Sequence, residues 1–233
     1  MDPTPVGCPK KGPSAHYKKL APYLLFGCMT NLAAIDRAWK MLSGRQRKWL
    51  TKATLDLAPT GKNMHRWGFW PHGKCPCCLQ PDENISHLLR CSAISSRKCR
   101  ATAIEKFGEK LEHMNTQPLL KITLQLHLRY WTDLDHTPPS MTEDLDIKQA
   151  IISQGQIGWT DMLVGKTSKQ WRAIQHQHLS ETESFHTADR WATLLVYELW
   201  QVTWKKWTHR NEILHDSKTS HQIDGLTGHY SRA

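Results

Sequence analysis

Residues 72–91 read "HGKCPCCLQPDENISHLLRC", which places four of the chain's seven cysteines and two of its histidines within twenty positions. Cys75 and Cys78 have the Cys-x2-Cys spacing that presents two thiolates from one tight turn, with Pro76 stiffening it. His87 and Cys91 are four residues apart, so on a helix they share a face. The eight residues between the two pairs, Gln80-Pro81-Asp82 among them, are enough to bring the chain back on itself. The four form a Cys3His set, the soft and borderline donors that bind Zn2+ tetrahedrally. Three thiolates and one imidazole leave no position for water, so the expected role of a single Zn2+ is structural. Cys77 lies inside the first pair and rivals Cys78, Cys99 is a spare thiol on the following helix, and His72 precedes the turn. Glu83 reads as a first-turn acid at the start of the helix carrying His87. A redox Cys-x-x-Cys would need a βαβ context, and none surrounds it.

Outward from this loop the pattern is helical. Ile35, Trp39 and Leu42 repeat at helical spacing, as do Trp49, Ala53 and Leu57. Gly44 is expected to end the first of these helices and "APTGKN" (58–63) the second. The segment from Glu83 to Met114 reads as helix interrupted near Ser95 or Ser96, and Leu119 to Trp131 as another apolar-periodic stretch. Short helices divided by Gly155, Gly158 and Gly165 follow, then a long one ending near His215. Without β alternation or an internal repeat, the expected fold is mostly α. Residues 1–15 form a flexible lead, and 16–132 a helical region holding the zinc module at about 66–100. An acidic linker with Pro138 and Pro139 spans 133–146, a helical region 147–215, and a flexible tail 216–233.

Lysine and arginine number 31 and aspartate and glutamate 21, a net charge of +10, so polyanions are the natural partners. Eleven tryptophans argue against disorder. The most apolar stretch, "LAPYLLFGCM" (20–29), is too short to span a bilayer, and the opening residues lack the apolar core of a secretory signal. Cysteines crowded into one loop suit metal chemistry in a reducing compartment. No membrane association is expected, and the nucleus or cytoplasm is the expected location.

"CPCCLQPDENISHLLRC" resembles the zinc-binding segment that follows the reverse transcriptase domain in non-LTR retrotransposon polyproteins. Cys75, Pro76, Cys78, Glu83, His87 and Cys91 match its pattern position by position. Asn84 stands where Ser or Thr is usual, and Cys77 is an extra thiol at a free position. "PTGKNMHRWGFW" (59–70), "AIISQGQIGWTDMLVGKTSKQW" (150–171) and "LWQVTWKKWTHRNEILH" (199–215) also look like segments of such proteins, so the resemblance covers roughly 45 to 215. It implies a piece lying behind the catalytic domain. The chain carries no aromatic-Ala-Asp-Asp polymerase signature and no assignable acidic triad. The expectation is a protein that is not an enzyme. His209, Asn211 and His215 in "HRNEILH" suit a metal nuclease in residue type, but a spacing of six does not align both histidines on one helical face.

From Trp191 onward Leu195, Trp200, Trp204, Trp207 and Leu214 form one face of an amphipathic helix. The tryptophans are expected in the core, with Lys205, Lys206, His209 and Arg210 largely off that face; this helix is also the expected surface for any protein partner. Nucleic acid, either RNA or single-stranded DNA, is the expected partner of the basic segments. Arg45, Arg47, Lys48, Arg66, Arg97, Lys98 and Arg100 would contact phosphates, and Trp67 and Trp70 would stack on bases. The alternative is an interaction or non-functional relic of a retroelement whose basic surface is incidental.

Overall fold

A computed structural model describes residues 29–133, 139 and 142–227, with side chains described as far as Asp216. The expected lead (1–15), most of the apolar stretch 20–29, Pro138 in the acidic segment and the last six residues lie outside the described residues. Among the described residues ten helices build the fold: α1 (Leu32–Met41), α2 (Gly44–Thr54), α3 (Gly61–Arg66), α4 (Ile85–Arg90), α5 (Ile94–His113), α6 (Pro118–Thr132), α7 (Leu145–Ile157), α8 (Trp159–Leu163), α9 (Lys169–Glu181) and α10 (Ala188–Thr227). No strand occurs among the described residues; one isolated bridge pairs Thr30 with Ser168. The fold is mostly α, and none of these helices is long and apolar enough to cross a membrane.

Local chemistry sets most of the boundaries. Asn31, Asn84, Asp144 and Ser168 cap the helices that follow them, each side chain accepting a first-turn amide. Ser43 and Gln46 form a reciprocal capping box, so Gly44 opens α2 instead of ending α1. The break before α5 falls at Cys91–Ala93, ahead of the expected position. Gly155 lies inside α7, while Gly158 and Gly165 are true breaks. Gly165 has φ +102, and a Cβ there would stand 2.6 Å from the Trp200 indole nitrogen, so the turn requires glycine twice over.

The long helix α10 is the spine, packed against α1, α5, α9, α4 and α8. It continues to Thr227, beyond the expected end near His215. Its buried positions run through Trp191, Ala192, Leu195, Val196, Leu199, Trp200, Val202, Trp207 and Arg210. At about 100° per residue these cover half the helix circumference, with Leu199, Lys206 and Arg210 near the middle. The tryptophan stripe is therefore one margin of a wider buried face. Trp200 and Trp207 are core, Trp204 is half-buried, and Lys206 and Arg210, expected off the face, are inside it. Leu111, Leu120, Leu124, Leu128, Ile147 and Trp171 complete one continuous core drawn from both sides of residues 133–146.

Candidate metal centre

The loop before α4 brings the four expected ligands together. The donor atoms of Cys75, Cys78, His87 and Cys91 all lie within 4.8 Å of one another. Cys75 Sγ is 3.8 Å from Cys91 Sγ, and Cys78 Sγ is 3.3 Å from His87 Nε2. A tetrahedron with metal–sulfur bonds of about 2.3 Å has sulfur–sulfur edges of about 3.8 Å, so the cluster has the size and donor chemistry to hold one metal ion. Cys77 is not in this set: its amide donates to Cys75 Sγ at 3.4 Å, the bond that steadies a thiolate in such a turn. Cys99 and His72 stand outside it as well, with Cys99 Sγ directed to the Lys205 carbonyl. Hydrogen bonds from Cys75 and Cys77 lower the Cys91 thiol, while hydrogen bonds with Cys77 and Cys91 and burial raise that of Cys75. Asn84 caps α4 by accepting the His87 amide at 2.7 Å, doing with an amide oxygen what a hydroxyl does elsewhere.

What fastens this loop to the rest of the molecule was not legible beforehand. Glu83 is fully buried and is not a dipole acid facing solvent. Its carboxylate accepts from Arg210 Nη2 at 2.6 Å and Nε at 3.0 Å, and from the Gly61 amide at 2.6 Å. Arg210 is 3% exposed, and its guanidinium carbon lies 5.2 Å from the Trp70 ring and 5.3 Å from that of Trp207. Gly61 has no room for a side chain, since a Cβ would sit 2.5 Å from the Lys74 carbonyl oxygen. One buried pair thus joins α3, the metal loop and α10. Two further cations close the same side. Lys206 donates to the Ser96 carbonyl at 2.8 Å and to its hydroxyl, and burial lowers its pKa. Arg100 donates to the carbonyl of Cys91 at 3.1 Å and lies 3.5 Å from Asp133.

The expected nucleic-acid residues divide accordingly. Arg100 is 3% exposed and engaged with carbonyls, so it is not available to a phosphate. Trp70 is half-buried and covered by Arg210, which removes it as a free stacking ring. Arg45, Arg47, Lys48, Arg66, Trp67, Arg97 and Lys98 are exposed. Arg97 shares Asp133 at 3.7 Å, and Arg66 lies over Trp67 at the end of α3. Arg45 and Lys98 border two separate grooves that meet at Trp204. His209, Asn211 and His215 form no metal cluster among the described residues. Family models, curated proteins and solved structures were all compared with the chain, and none matches it.

Proposed function

We propose that the chain is a zinc-held, non-catalytic helical module that binds RNA or single-stranded DNA through phosphate contacts. The reading rests on one arrangement: exposed cations of α2 and α5 stand on either side of Trp204. A cationic track beside an aromatic surface is how proteins hold single strands without reading sequence. The metal would be Zn2+, because three thiolates and an imidazole form a closed, soft site. It would set the loop's shape and take no part in chemistry. The motif resemblance supports a position behind the polymerase of a retroelement, where such a module would keep template strand near the catalytic domain.

Binding of a labelled oligonucleotide across a salt series tests the reading. With four to six exposed cations converging on the strand, the log–log salt slope should be about −3 to −4. A flat response would instead favour a protein-interaction role. That rival draws on Ile122, Leu126 and Tyr130, an apolar row along the outer side of α6, 49%, 46% and 37% exposed.

A further inference from the structure

Between α5 and α10 runs a groove of about 790 Å³ whose floor is Ala103, Phe107, Val202 and Trp204. Helical spacing builds its rim. Lys98, Thr102, Lys106 and Lys110 recur every four residues on α5, and Glu198, Val202, Lys205 and His209 lie on one face of α10. Lys98, Lys106, Lys110 and Lys205 are all exposed, and none of their side-chain amines has an ion-pair or hydrogen-bond partner among the described residues, whereas those of Lys40, Lys121 and Lys166 each have a carboxylate. Four lysines face one carboxylate there, Glu198. From Lys98 to Lys110 the row is about 18 Å long at 1.5 Å per residue.

We propose that this groove is the seat of the single strand, with backbone phosphates on Lys98, Lys106, Lys110 and Lys205 and a base against Trp204. The inference rests on the nucleic-acid reading above and locates it. Of these five residues Lys98 is among the nucleic-acid contacts expected from the sequence. Trp204 is held edge-on to Trp49, with ring centroids 5.7 Å apart at 70°, which makes it a fixed platform. An acidic helix would satisfy the lysines, whereas a single strand supplies both repeated phosphates for them and flat bases for the Trp204 ring. Glu198 stands beside Lys110, so the strand is held most firmly at the Lys98–Lys205 end.

The test uses the full chain with its metal and a fluorescein-labelled oligouridine of about 16 nucleotides. Lys98→Glu, Lys106→Glu, Lys110→Glu and Lys205→Glu together should weaken binding at least tenfold and flatten the salt slope by about 3, at about 0.7 per contact. Glu198→Gln should tighten binding about two- to threefold, an effect that incidental charge elsewhere would not produce. Zinc content and melting temperature, measured alongside, separate lost contacts from lost fold. 5-Iodouridine crosslinks should map to residues 98–110 and 199–209. If the wild type binds with a salt slope while the quadruple variant binds equally well, or crosslinks fall only on α2, the seat is elsewhere and the broader reading survives. If the wild type shows no salt-dependent binding, the broader reading fails first. An acidic amphipathic peptide that occupies the groove and resists displacement by oligouridine overturns the assignment.

Discussion

The metal loop and the helical core around Trp171 are ordered by opposite means. In the loop, residues 73–83 contribute little apolar surface, and Leu79 and Asp82 hold left-handed φ values of +61 and +56. Its order comes from a few strong polar contacts: the Cys3His cluster, the Glu83–Arg210 pair and the Arg100 bonds. Around Trp171 the order comes from burial, and the buried amide at its centre is fully paired. Gln154, fully buried, donates to the carbonyls of Gly158 and Lys166 and accepts from the Ser168 amide and the Trp171 indole, at 2.9–3.2 Å. That uses every donor and acceptor an amide side chain has. Polar ordering of this kind fails all at once when one species is removed, whereas apolar ordering weakens gradually.

Removing the metal should separate the two regions most sharply. Metal binding in small modules contributes about 10–16 kcal/mol, so a chelator should unfold the loop and α4 while most helix signal persists. Hydrogen exchange would show fast amides at 73–91 and protected ones around Trp171 and Trp191; uniform protection would break the contrast. Cys78→Ser should lose the metal by elemental analysis, and Cys77→Ser should keep it.

Next in size is the latch. Arg210→Met leaves Glu83 charged, buried and unpaired, at a cost of about 3–5 kcal/mol in denaturant unfolding. Glu83→Gln combined with Arg210→Met should cost clearly less than the two single changes added together; simple additivity would show that the pair does not act as a unit. In the core, Gln154→Leu strands the Trp171 indole and a backbone amide, and about 3 kcal/mol should be lost with the metal content unchanged.

Two smaller effects sharpen the comparison. Leu79 is exposed and left-handed, so Leu79→Gly should stabilise the metal-loaded loop by about 1 kcal/mol, read as slower metal release to a chelator. His127 stacks on Trp159, centroids 4.8 Å apart, and burial lowers its pKa from the usual 6.5. A lowered base is neutral in the folded state, so the unfolded chain takes up the proton first. Stability from this group is present above pH 6.5 and should decline as the pH falls below it. His127→Phe should lessen that decline between pH 7 and 5; an unchanged slope would assign it to other groups.

Short-range order was readable from residues 29–216 alone. Helical spacing announced α1, α6 and the spine, and two cysteines three apart with a His and a Cys four apart announced the Cys3His cluster, because a turn and a helix fix such geometry locally. The choice between Cys77 and Cys78 needed the fold, since only the closed turn shows which thiol stands against His87. The fate of the charges needed it too. Glu83 and Arg210 meet across 127 positions, and Lys206 and Ser96 across 110. Lysine and arginine are seldom buried, so Arg100, Lys206 and Arg210 read as surface cations. Which cations stay in water depends on which helices happen to cover them, and that is decided when α10 docks against the metal loop and α5. The same docking leaves Lys106, Lys110 and Lys205 unpaired on a groove that neither helix has by itself.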